Sequence, residues 1–151
     1  MDSQSQEKLE QLIRTQQMAS LGTLSGGQPM VSMVLYGAST DFSRYYLHIS
    51  QLAAHTRNMM AHAQVSLMIC ETTRTNVNPQ TLARLSVMGK ASLLSPTSTE
   101  YEMAKAQYLE KYPFTKMTFQ LGDFGLFRIE LESARYVAGF GKAFSLSTED
   151  I

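Results

Sequence analysis

The densest run of groups able to grip a charged ligand is "HISQLAAHTRN", residues His48 to Asn58. A strand is expected to end at Ser50 and a helix to begin within the next few residues. The unpaired N–H groups of such a helix start form a ready anion site. His55, Thr56 and Arg57, in or just after the first turn, add an imidazole, a hydroxyl and a guanidinium. Arg57 can hold a phosphate through two parallel hydrogen bonds, each about twice as strong as a neutral one. The same residues also have a plainer reading, in which Ser50 caps the helix, His55 is half-exposed and Arg57 pairs with a nearby acid. Residue types and spacing leave both open.

Little else in the chain offers chemistry. His48, His55 and His62 recur every seven residues, but the first belongs to the expected strand. His55 and His62 would share a helix face about 10 Å apart, too far for one metal ion. Gly26-Gly27 reads as a turn with no helix after it, so there is no phosphate-binding glycine loop, and no Gly-x-Ser-x-Gly elbow is present. Cys70 is the single cysteine and can form neither an internal bridge nor a sulfur-rich zinc site. Thirteen basic and thirteen acidic side chains cancel, which argues against a nucleic-acid partner. The polar N-terminus and the lack of a roughly 20-residue apolar run predict a cytoplasmic protein with no membrane partner. At 151 residues and 44% apolar, the chain reads as one domain, 1–151. The ten methionines read as adaptable core filling, with a flat-ligand surface as the alternative.

The elements that must carry His48 to Asn58 follow from periodicity. Leu9, Leu12 and Ile13 predict a helix over about 4–17. Leu21 to Leu24 leads into the Gly26-Gly27 turn, and Met30 to Tyr36, rich in Val and Met, predicts a strand buried on both faces. Tyr45 to Ser50 is a third strand, Leu52 to Ala63 a helix of about three turns, and Val65 to Thr72 a fourth strand. Leu82 to Leu94 predicts a long strand with Leu85, Val87, Gly89 and Ala91 on one face, and Gly89 marks a bulge or bend. Pro96 followed by Thr97, Ser98 and Thr99, then Glu100 and Glu102, starts a helix that stops before Pro113. Phe114 to Leu121 adds a helical turn or two. Phe124 to Glu130 is a strand that Ala134 to Ala138 continues or follows, and 140–151 is a tail. Asp123 reads as a strand-start residue or as a polar group in a cleft. Strands with singly inserted helices predict a mainly β, α+β fold.

Four segments in order carry a resemblance: "GQPMVSMVLYG", "YYLHISQLAAHTRNMMAHAQVSLMI", "ARLSVMGKASLL" and "GDFGLFRIELESARYVAGFGKA". Together, over roughly Leu12 to Ala143, the chain resembles the pyridoxamine 5′-phosphate oxidase-like split-barrel family, with its haem-utilisation branch the most similar. The resemblance implies a six-stranded antiparallel split β-barrel with peripheral helices, working as a homodimer with cofactor sites at the interface. It implies FMN as cofactor and a flavin-dependent oxidoreductase acting on a small-molecule substrate. The FMN phosphate would lie against Ala54, His55, Thr56 and Arg57, and the ring along Val31 to Tyr36, with Ser32 and Val34 among them, and the strand end at Ser50, with Arg84 reaching the flavin. An alternative for Arg84 is a barrel-rim pair with Glu71 or Glu130. Val31, Tyr36, Ala54 and His55 stand where the enzyme that names the family carries basic residues, so oxidation of pyridoxamine phosphate itself is not expected. The haem branch implies haem instead, in an apolar inter-subunit cavity lined in part by Met33, Tyr36, Phe127 and Phe140. Each of these four also reads as ordinary core. Its members' histidine ligands towards the C-terminal end have no counterpart after His62. A cofactor-free dimeric binding module is the remaining alternative. In each case "GFGKA" would wrap the partner subunit, with Phe140 as its anchor.

Overall fold

The computed structural model describes residues 1–151. Two-residue alternation sets the strands. In β1, Met18–Ser25, the residues Ala19, Leu21 and Thr23 point inward, and Gly26 and Gly27 then turn the chain. Their φ values of 56° and 81° are the left-handed geometry that a two-residue hairpin turn requires. β2, Gln28–Leu35, returns antiparallel to β1. The remaining strands are β3, Gly37–Ala38, β4, Arg44–Ser50, β5, Gln64–Cys70, β6, Arg84–Leu93, β7, Phe124–Gly139, and β8, Lys142–Ser147.

Every pairing is antiparallel, in the order β2-β1-β5-β6-β7-β4-β3, with β8 on β7. β2 and β3 stand at opposite ends of that order, yet only Tyr36 separates them in the chain. The sheet must therefore curl back on itself, and the result is the split barrel. Its interior is one cluster that includes Leu21, Leu47, Leu67, Leu85, Phe127 and Ile129. The six expected strands are present, with two additions. β3 is short, and β8 replaces the expected tail because Phe144 and Leu146 alternate inward against serines, Phe144 stacking on Tyr136 at 6.0 Å. β7 runs unbroken where two segments were distinguishable in the sequence, and the bulge falls between Met88 and Gly89.

Three helices close the barrel. α1, Ser3–Thr15, is capped by Asp2, whose carboxylate accepts from the Ser5 N–H at 2.9 Å. It plugs one end with Leu9, Leu12 and Ile13, and the Tyr36 and Tyr136 hydroxyls donate to its carbonyls at Ile13 and Ser5. α2, Ala54–Ala61, is shorter than the three turns expected. The Gln51 N–H is taken by the Asp123 carbonyl, and the chain is extended again by Ala63, whose carbonyl accepts from Ala91. α3, Thr99–Lys111, starts at Ser98, whose hydroxyl accepts from Tyr101 N–H, and stops before Pro113. It covers the outer face of β4 and β7, where Glu100 accepts from Arg128 at 2.8 Å, Tyr46 at 3.1 Å and Arg44 at 3.4 Å.

Beside α3, His48 is buried, stacked on Phe119 at 3.6 Å, with Nδ1 3.2 Å from the Thr118 hydroxyl. Burial, and secondarily the Lys105 cation, push its pKa down to about 4. The folded protein thus holds fewer protons than the unfolded chain between about pH 4 and 6.5, so stability falls as pH drops through that window. One pKa unit is worth about 1.4 kcal/mol, and with discounting for partial solvation a loss of about 1–2 kcal/mol is expected. His48→Phe keeps the stack, and its melting temperature should lose the pH slope over that range.

Candidate functional site

The β4–α2 corner is held by backbone and short polar groups. The Ser50 hydroxyl donates to Asp123 Oδ2 at 3.0 Å and accepts from the Leu52 N–H at 3.2 Å. Asp123 therefore anchors the corner as well as preceding β7. Ser50 is not the helix cap: Ala53 is, and no side chain caps α2, which leaves its first amides free. Thr56 is 1% exposed and donates to the Ser50 carbonyl at 2.6 Å, so its hydroxyl fastens the corner from within. His55 is half-buried, its Nε2 lacks a partner, and burial lowers its pKa. Arg57 is exposed and forms no ion pair. The corner thus presents free amides and one unpaired guanidinium.

The other expected site residues lie elsewhere. On β2, Ser32 and Val34 are on the inward face, opposite Leu21 and Ala19. Val34 is in the core and the buried Ser32 hydroxyl has no partner, so what they can offer an external ligand is backbone. Arg84 pairs with neither Glu71 nor Glu130. It donates to the Gln80 and Leu82 carbonyls at 3.3 and 3.1 Å, while Glu71 accepts from the Ala83 N–H. Arg84 faces Cys70, six residues along β5 from the Gln64 end next to α2, which is roughly 20 Å. One chain therefore cannot bring Arg57 and Arg84 to one small ligand.

The expectation that β2 is buried on both faces is corrected. Val31 is 70% and Met33 67% exposed, because β2 lies at the end of the sheet and no helix covers its outward side. Register puts Met33 and Met68 either side of Ser20, and Val31 and Ser66 either side of Gly22. Met18, 61% exposed, lies on the same face. The outward positions of β1, β2 and β5 carry no charged side chain; the first charges are Arg84 and Lys90 on β6. Tyr36 and Phe127 are core residues, whereas Met33 and Phe140, the latter 80% exposed near the β7–β8 turn, face outward. The signal for this face was the absence of charge at alternate positions of three strands. It is visible only once their pairing is known.

The pyridoxamine 5′-phosphate oxidase family model matches residues 5–138. The chain belongs to that family. Within it, the chain is 30% identical over 139 residues to the haem oxygenase HutZ of Vibrio cholerae, covering 91% of this chain and 77% of HutZ. It is 33% identical over 123 residues to the chloroplastic non-canonical haem oxygenase HOZ of Arabidopsis thaliana, covering 82% of this chain but only 36% of HOZ. The crystal structure of HutZ, there described as a haem storage protein, superposes with a TM-score of 0.75 at 26% identity, over 83% of this chain and 89% of that one. A haem-binding protein of Mycobacterium smegmatis shares the fold at a TM-score of 0.87 and 24% identity, over 99% of this chain and 60% of that one. Both sequence relatives, HutZ and HOZ, are named as haem oxygenases. No helix in it is long and apolar enough to cross a membrane.

Proposed function

We propose that this protein binds haem between two copies of itself, as a haem-utilisation member of its family. The observation that carries the reading is the uncharged, exposed face of β1, β2 and β5, on a chain whose named relatives are haem oxygenases. An uncharged apolar face left open on one protomer suits association with a second copy. Met18, Val31, Met33 and Met68 suit a flat apolar macrocycle, and Arg57 and Arg84, free of carboxylate partners, suit its propionates. Two copies related by a two-fold axis would supply Arg57 from one and Arg84 from the other. Bound haem supplies a redox-active iron. The chain's own residues exclude water and hold the carboxylates. His48, enclosed by Phe119, Tyr108 and Phe124, is unavailable as an iron ligand.

FMN is the second reading, favoured by one feature: the uncapped start of α2 beside Arg57 fits a single phosphate. It is the weaker reading because one unpaired cation faces a dianion, while Thr56 is already engaged. Haemin and FMN added separately to purified protein distinguish the two. A saturable Soret band with haemin and no retained flavin is expected; retained yellow flavin, or neither, overturns the reading. Arg57→Glu should weaken haemin binding about tenfold, the loss of one charge-assisted hydrogen bond, with an unchanged melting temperature.

A further inference from the structure

Between the end of α1 and the end of α3 lies a cavity of roughly 400 Å³, within the range of small-ligand sites. Nothing in the haem reading uses it. Two cations line it, Arg14 from the last turn of α1 and Lys111 from the last turn of α3. Neither has a carboxylate within ion-pair distance. The Arg14 guanidinium lies 4.7 Å over the Phe42 ring, and Lys111 Nζ lies 4.0 Å over the Tyr36 ring with only the Ile13 carbonyl, at 3.5 Å, as acceptor. Gln107 adds an amide, and Ile13, Ala38 and Phe42 form an apolar wall. Phe42 is held there with φ at +57°, a conformation that costs energy for a non-glycine residue. Glu110 also lines it and is the one acidic group present.

We propose that this cavity binds a small organic carboxylate, its anionic end shared by Arg14 and Lys111 and its apolar body against Phe42, Ile13 and Ala38. Two unpaired cations call for an anion, and the apolar wall calls for more than an inorganic one. Burial lowers the Lys111 pKa to about 8, and a bound anion would raise it. Affinity should therefore fall as pH rises through about 8. Lys111 also reaches the Ile13 carbonyl near the end of α1, and Arg14 lies in that helix's last turn, which is the purely structural role a test must separate.

Benzoate titrated into the full-length protein by calorimetry separates the two, with inorganic phosphate as a second arm. Expected are saturable benzoate binding that weakens above pH 8, a loss of tenfold or more in Arg14→Met, and binding without the pH 8 dependence in Lys111→Arg. Arg14 is exposed, and an unchanged melting temperature of Arg14→Met would show that the variant is folded. Absence of saturable benzoate binding, equal binding by Arg14→Met, or phosphate binding as tightly as benzoate would each overturn the proposal.

Discussion

Gly89→Ala is expected to be the most damaging single methyl group in the chain. A Cβ at position 89 would overlap the backbone carbonyl oxygen of Glu130 and sit 3.1 Å from Ile129 Cγ2. The obstacle is backbone in the neighbouring strand, at the bulge where the β6–β7 register shifts, so no rotamer change relieves it. β6–β7 is the longest pairing in the sheet, and both strands contribute to the core. We expect a loss of about 3–5 kcal/mol, or roughly 10–15 °C in melting temperature for a domain of this size. Two controls sharpen the comparison. A Cβ at Gly125 meets chiefly the flexible Leu93 side chain, and one at Gly122 meets nothing within 4 Å. Gly122→Ala should therefore be neutral, Gly125→Ala intermediate, and Gly89→Ala lowest in a thermal melt.

The double substitution Val31→Glu with Met33→Glu is expected to abolish self-association while sparing the fold. Both side chains are more than two-thirds exposed, so a lone protomer tolerates the change. In a two-fold dimer each would be buried twice. Covering an apolar side chain of this size is worth about 1.5–3 kcal/mol, and an unpaired buried charge adds a further penalty. Four such positions amount to at least about 6 kcal/mol, or more than roughly 10⁴-fold in the association constant. Haemin retention should fall with dimerisation, and the melting temperature should move little at low protein concentration.

Much of this architecture was legible in the residues. Gly26-Gly27 announced a tight turn, Pro96 to Thr99 with Glu100 and Glu102 a helix start, Pro113 its end, and Gly89 a bulge or bend; each is a local rule with one dominant physical cause. What failed was decided by neighbours distant in sequence. The Val- and Met-rich β2 looks buried from composition, but whether a second layer covers it depends on sheet order. Ser50 has the right chemistry for a cap, yet Asp123, 73 residues away, draws its hydroxyl elsewhere. Phe144 and Leu146 form a strand because β7 is long enough to receive them. At the site, the run His48 to Asn58 puts Arg57 in a helix just after a strand end, but its exposure is a property of the fold. That Thr56 turns inward, and that Arg84 lies at the other end of the barrel, required the three-dimensional register.

Size-exclusion chromatography with light scattering, following mass and Soret absorbance across one peak after addition of haemin, puts the central claim to its most direct test. The account predicts that haem co-elutes with a species of twice the 16.9 kDa chain mass. Haem travelling with a species of single-chain mass, or a dimer peak with no Soret absorbance, would contradict it.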